Sequence, residues 1–204
     1  NGARFIQETI ALGGMWDWAL SPTVSLTNSL RVDFGKQWRE GTIFPDVARF
    51  RQNSDYDRSM TPLSFNSYLT WRPTDDDTLR LTVGGAPQLT PACESACQTG
   101  GGGVYYIGSP GLPLARITAY EVAYDRNLDA IGGLFRAALW YQDIRHSKGF
   151  ATLPAADAGV LLFPVVDGGN SKAIGTELEL HGSVPNGVYW SVDYAYVDIN
   201  DDPT

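Results

Sequence analysis

The chain has 204 residues, a formal net charge of −8, 43% hydrophobic residues and only 19% charged ones. An acidic balance argues against a polyanion as partner, so nucleic acid is set aside. No window approaches about 18 consecutive apolar residues, which excludes a membrane-spanning helix and leaves strands of about 9–11 alternating residues as the way across a bilayer.

Taken in chain order, the sequence reads as four hairpins. The first joins Phe5–Leu20 to Thr23–Gly35 through Ser21-Pro22. In its second strand Val24, Leu26, Leu30, Val32 and Phe34 alternate with Ser25, Thr27, Ser29, Arg31 and Asp33, with Asn28 as the exception. The second hairpin joins Thr61–Arg72 to Thr78–Ala86 through Thr74–Asp77, and Leu79, Leu81 and Val83 alternate with Arg80 and Thr82. The third joins Ile117–Asn127 to Gly133–Arg145 through Asp129–Gly132. The fourth joins Lys172–Val184 to Val188–Ile199 through Pro185-Asn186-Gly187. There Leu178, Leu180 and Val184 alternate with Glu177, Glu179 and His181, and Val188, Trp190, Val192, Tyr194 and Tyr196 with Tyr189, Ser191, Asp193 and Ala195. A period of two is the signature of a strand with two unlike faces, and Asn-Gly and Asp-rich connections are hairpin turns.

Between the hairpins lie long segments near Lys36–Met60, Pro87–Ala115 and His146–Ser171, rich in Gly, Pro, Asn, Ser and Asp. Short turns therefore alternate with long loops, which are expected to lack structure of their own. A compact soluble domain rarely carries several such loops, whereas an outer-membrane barrel has short periplasmic turns and long extracellular loops. The fold class expected is all-β: an antiparallel transmembrane β-barrel segment of about eight strands in up-and-down hairpins. Trp16 and Trp18 precede the first short turn, Trp71 precedes the second, and Trp190 follows the fourth. Tryptophan favours the membrane–water interface, so these four are expected to form a girdle on the short-turn side. Phe34, Tyr141, Tyr194 and Tyr196 lie toward the long-loop ends, where a second girdle is expected.

Charge on a lipid-facing position costs about 2–4 kcal/mol at the midplane, so Arg31, Asp33, Arg80, Glu177, Glu179, His181 and Asp193 are expected to face a lumen. An eight-stranded barrel is filled by its own side chains, whereas a wider one leaves room for water or a plug. The chemistry of catalysis is missing. The two histidines, His146 and His181, stand at a strand end and on the polar face. The Gly100–Gly103 run lacks the lysine and helix of a phosphate loop and is expected to be a flexible loop apex. Asp75-Asp76-Asp77 lacks the remaining ligands of a calcium loop and is read as a solvated turn. No catalytic residue, cofactor or metal site is expected. Cys93 and Cys97, the only two cysteines, have too few neighbouring ligands for structural zinc; a small disulfide loop is the preferred reading, two free thiols the alternative.

Several stretches resemble the TonB-dependent receptor family in that family's order. They are Trp18–Asp33 (WALSPTVSLTNSLRVD), Ser64–Pro91 with Gly85-Ala86-Pro87, Gly108–Leu128 with Ser109-Pro110, Leu112-Pro113 and Tyr120-Glu121, and the hairpin Ala173–Asp198. The resemblance implies a 22-stranded barrel with an N-terminal plug, in the outer membrane of a Gram-negative cell, driven through TonB. Residues 1–204 are then expected to be part of the barrel domain, with the plug and the terminal strands outside them. The function implied is uptake of a scarce small-molecule ligand such as a ferric siderophore, with the lipid bilayer and, through the plug, TonB as partners, and no enzymatic activity. Two other readings stay open here: a complete small eight-stranded barrel with a structural or adhesive role, and a soluble β-sandwich binding protein.

A bridge between Cys93 and Cys97 closes a short loop and is expected to contribute little stability. Alkylation of protein taken from oxidising conditions, followed by mass spectrometry, should find neither cysteine modified until a reductant is added. Two thiols modified without reduction would refute the bridge.

Overall fold

A computed structural model describes every residue except 1, 46, 49, 50, 89, 90, 152–154, 158, 185, 186, 203 and 204, and describes the side chains of 92, 93 and 155–157 no further. The strands are β1 (Arg4–Ser21), β2 (Val24–Glu40), β3 (Arg58–Met60), β4 (Leu63–Trp71), β5 (Asp77–Gln88) and β6 (Gln98–Gly101). They continue as β7 (Val104–Ile107), β8 (Ala115–Leu128), β9 (Gly133–Phe150), β10 (Ala155–Asp157), β11 (Val160–Val184) and β12 (Val188–Asp202). One short helix, α1 (Ala92–Ala96), and two 3-10 turns at Asn53–Tyr56 and Asp129–Ile131 complete the described elements.

Eight long strands pair antiparallel with their neighbours in the order β1-β2-β4-β5-β8-β9-β11-β12 and make one curved wall. The register carries the polarity of each strand to the next. Residues directly opposite one another share a face. One row runs Trp18, Leu26, Leu69, Leu81, Val122, Leu139, Thr176, Tyr196. The adjacent row runs Ala19, Ser25, Thr70, Arg80, Ala123, Ala138, Glu177, Ala195 and belongs to the other face. The apolar face is open over its whole extent: Ile10 is 76% exposed, Leu12 74% and Val192 64%. An uncovered apolar sheet of this size is the surface of a protein solvated by lipid. No second sheet packs on it among the described residues, which removes the β-sandwich reading. Nor do β1 and β12 pair among the described residues, so the wall is not a closed eight-stranded barrel.

Asn28, the one polar residue in the apolar alternation of β2, has a partner on its own face. Ser67 Oγ of β4 donates to Asn28 Oδ1 at 2.8 Å, and the two residues are opposite in register. Three glycines are set by close approach. Gly85 lies opposite Phe65, Gly175 opposite Trp140, and Gly182 opposite Trp190. A Cβ on Gly175 would stand 2.4 Å from the Trp140 ring, and one on Gly182 2.7 Å from that of Trp190. Each ring lies across the strand over its glycine and supplies the contacts that the missing side chain cannot.

The short connections keep to one end. Ser21-Pro22, Asp75-Asp76 and Ala130 lie there, Asn53 and Gly101 lie at the other end, and Asn186 falls outside the described residues. The turn before β5 is closed by side chains. Thr74 Oγ1 donates to Asp77 Oδ2 at 2.5 Å, the Asp77 amide returns a bond to Thr74 Oγ1 at 3.1 Å, and Tyr124 Oη donates to Asp77 Oδ1 at 2.6 Å. The bonds from Thr74 and Tyr124, with Arg126 beside them, hold the Asp77 carboxyl below its ordinary value.

The expected strand count needs correction. Among the described residues there are twelve strands rather than about eight. The eight long ones match the expected hairpins, and the additional four, β3, β6, β7 and β10, lie in the long loops. The loops therefore carry structure that their Gly and Pro content concealed. β2, β9 and β11 run on past the expected strand ends, to Glu40, to Phe150 and back to Val160. The Gly-rich stretch is a hairpin: Gly102 (φ 61°) and Gly103 (φ 84°) turn β6 into β7, and positive φ at both positions of a two-residue turn is open chiefly to glycine.

Filling the space under Trp140 should disturb the wall locally. Gly175→Val in the intact barrel is expected to destabilise by about 1–3 kcal/mol, as overpacking does. Denaturant unfolding in lipid vesicles measures it; an unchanged midpoint would mean that the ring does not hold this position.

Candidate functional site: the polar face of the wall

Each of the seven residues expected on the polar face stands there by register. Arg31 and Asp33 are on β2, Arg80 on β5, Glu177, Glu179 and His181 on β11, and Asp193 on β12. The four tryptophans Trp16, Trp18, Trp71 and Trp190 all stand on the apolar face, in the half nearer the short turns. Phe34, Tyr141, Tyr194 and Tyr196 share that face; Phe34 lies toward the other end of its strand, while Tyr141, Tyr194 and Tyr196 stand near the middle of theirs rather than at the long-loop end expected. Val24, opposite Trp71, and Phe34 are separated by about 33 Å of strand at 3.3 Å per residue, or about 25 Å of height at the usual tilt, the thickness of an apolar barrel band.

On the polar face the charges are joined. Arg80 Nη2 lies 2.8 Å from Asp125 Oδ2, and Arg136 Nε donates to Asp125 Oδ1 at 2.8 Å. Arg136 Nη1 reaches Glu179 Oε2 at 3.7 Å, and His181 Nδ1 lies 3.0 Å from Glu179 Oε1. The result is a ladder of alternating charge across β5, β8, β9 and β11. Asp125 is its hinge: its side chain is 14% exposed while both arginines are around 40% exposed, 37% for Arg80 and 42% for Arg136. Beside the ladder, Trp140 Nε1 donates to Glu177 Oε1 at 3.2 Å. On β2, Arg31 Nη2 donates to Asp33 Oδ1 at 2.6 Å, and Thr27 Oγ1 donates to Asp17 on β1.

Sequence reading passed over Asp125, Arg136, Asp17 and Trp140. The signal was present: Glu121, Ala123 and Asp125 alternate with Tyr120, Val122 and Tyr124, and Arg136 stands between Phe135 and Ala137. The arrangement is a charged surface cross-linked from strand to strand. No group of three or more His, Cys, Asp or Glu is placed to hold a metal ion among the described residues. Cys97, directly after α1, is disulfide-bonded, while the Cys93 side chain lies outside the described residues.

The family model described as "TonB dependent receptor-like, beta-barrel" matches residues 2–204. No curated protein matches the chain in sequence. Among solved structures, the wall is similar to the siderophore receptor PirA from Pseudomonas aeruginosa, with a TM-score of 0.65 and 13% identity over 98% of this chain and 44% of that one. It is similar to the copper transporter OprC, with a TM-score of 0.75 and 13% identity over 98% of this chain and 30% of that one. The FrpB iron transporter from Neisseria meningitidis (F3-3 variant) gives a TM-score of 0.64 and 14% identity over 98% of this chain and 26% of that one. The chain thus spans less than half the length of each of these proteins. With a family match over nearly every residue and a wall whose two faces divide as a barrel's must, the chain belongs to the TonB-dependent receptor β-barrel family of the Gram-negative outer membrane.

Proposed function

We propose that this wall is a sector of a receptor that takes up a scarce metal chelate, such as a ferric siderophore, across the outer membrane. The observation that carries the reading is the division of polarity carried through the register of eight strands, which fits a lipid-facing exterior and a wetted lumen. The polar face, with Arg31, Asp33, Arg80, Glu177, Glu179, His181 and Asp193, then lines the passage or contacts a plug, through which TonB acts. Trp16, Trp18, Trp71 and Trp190 form the periplasmic girdle. Cys93 and Cys97 form a bridge within an extracellular loop. The family consists of receptors and transporters, and the paired charges of the polar face offer no reaction centre. The neighbours described as a siderophore receptor and an iron transporter support iron chelates as the ligand class.

Uptake is tested in the host on ferric trishydroxamate or ferric tricatecholate as sole iron source. Growth on at least one should need both the intact gene and TonB. Equal growth on both with and without the gene would remove iron chelates from the reading.

Topology is tested with single cysteines in a background lacking Cys93 and Cys97. On whole cells an impermeant thiol reagent should label Asn53→Cys and Gly101→Cys, and leave Ser21→Cys, Asp76→Cys, Ala130→Cys and Asn186→Cys unlabelled. The reverse pattern would invert the orientation. In micelles a water-soluble probe should reach Glu179→Cys and not Leu178→Cys. Because a slip of one residue exchanges the two faces along a strand, equal labelling of this pair would overturn the barrel reading.

A further inference from the structure

The three long loops leave the wall at distant places. They connect β2 to β4, β5 to β8, and β9 to β11. From β2 to β11 the wall takes five steps, through β4, β5, β8 and β9, about 24 Å along the sheet at about 4.8 Å per step. Yet the loops meet. Val47 of the first loop, Tyr105 and Ile107 of the second, and Val160 and Leu162 at the start of β11 form one buried apolar cluster, with Ile43 packed against it. Val47 is 0% exposed and Ile107 3%.

Polar bonds join the same partners. Arg58 Nη1 donates to the carbonyls of Leu112 at 2.6 Å and Pro110 at 3.3 Å. The Gln98 side chain accepts from the Phe44 amide at 3.2 Å and donates to Tyr56 Oη at 3.3 Å. Tyr56 is itself fully buried. Residues Leu161 and Leu162 of β11 pair with β10 on one edge and with β7 on the other. To reach that edge, the second loop has passed β8 and β9.

None of these pieces is long enough to stand by itself. The β6–β7 hairpin has four residues a side, and β3 and β10 have three residues each. An isolated two-stranded hairpin is marginal in water, and a 3-10 turn is weaker still. The first loop, the second loop and the start of β11, where the third loop ends, bury apolar surface on one another. We propose that the three long loops fold and open as one cooperative unit, a strap over the long-loop end of the wall, so that loosening any one of them releases the other two.

Hydrogen exchange on the full-length receptor in lipid tests this. Val47→Asp places a charge in the shared cluster from the first loop alone. It should speed exchange at the amides of Tyr105, Ile107, Leu161 and Leu162 by about tenfold or more, as local opening of one cooperative unit does. The amides of Leu69 and Leu81, in β4 and β5 of the wall, should not change. Gln98→Ala is a milder variant, for use if Val47→Asp fails to reach the outer membrane. It should speed exchange in Asn53–Tyr56 together with Val104–Ile107. Acceleration confined to the mutated loop would overturn the proposal, because independent loops behave that way. Acceleration that includes Leu69 and Leu81 would also overturn it, because the loops would then have no unity apart from the wall.

Discussion

A strand inside hydrocarbon must satisfy each backbone N–H and C=O on a neighbouring strand, because no water is there to do it. The rest of the wall depends on that constraint. It forces continuous antiparallel pairing, and continuous pairing fixes the register. Once the register is fixed, a single alternating strand decides the faces of all the others. Leu178 opposite Ala137 and Tyr194, with Glu179 opposite Arg136 and Asp193, is one instance of a rule that holds from β1 to β12. Proteins in water set their strand faces by burial in a shared core; here the core is replaced by the lipid, and the buried apolar cluster of the described residues lies at the long-loop end, where β11 runs past its pairing with β9.

The polar face follows from the same geometry. Cross-strand neighbours on one face lie close enough for long side chains to meet, both directly and diagonally. In the ladder from Arg80 to His181, Asp125–Arg136 and Arg136–Glu179 are direct pairs, Arg80–Asp125 is a diagonal one, and Glu179–His181 lies along β11. Each exposed ion pair contributes little, about 0–1 kcal/mol. Their joint effect is to hold long arginines in place: Asp125 draws Arg80 and Arg136 from the strands on its two sides. A face built this way presents fixed charge on its side of the wall, while the apolar face needs no directional contacts at all. Trp140 shows the difference. It stands on the polar face, its ring laid over Gly175 and its N–H spent on Glu177, whereas Trp16, Trp18 and Trp71 stand on the apolar face with 40–53% of their surface open.

The wall was legible because a period of two survives in a single sequence. The turns at Ser21-Pro22 and Asp75-Asp76 and the faces of β2, β5, β11 and β12 needed no information from distant residues. Asn28 was seen as an exception without a reason, since its reason is Ser67, thirty-nine positions away in sequence. Asp125 and Arg136 were missed although their alternation was visible, because their importance lies in which charges the register sets beside them. The loops were misread for a related cause. Val104–Ile107 has the β-branched and aromatic residues of a strand, but it is four residues long and its partner on β11 lies more than fifty positions on. Short strands with remote partners leave no periodic signal.

Wall and loops are stabilised by different means, and that difference shapes the long-loop end. The wall is solvated by lipid and held by backbone pairing, so it can be one sheet thick. The loops stand in water, where order requires apolar burial against the entropy of fixing the chain. A loop of some twenty residues has too little apolar surface to supply that burial alone. Pooling is the available solution: Val47 comes from the first connection, Tyr105 and Ile107 from the second, and Val160 and Leu162 from the end of β11 that adjoins the third. Their meeting requires the wall to curve, since its outermost contributors leave strands five steps apart. The curvature that lets a barrel close around a lumen thus also brings its loops within reach of one another. Order at the mouth is a consequence of the shape of the wall rather than a property of any one loop.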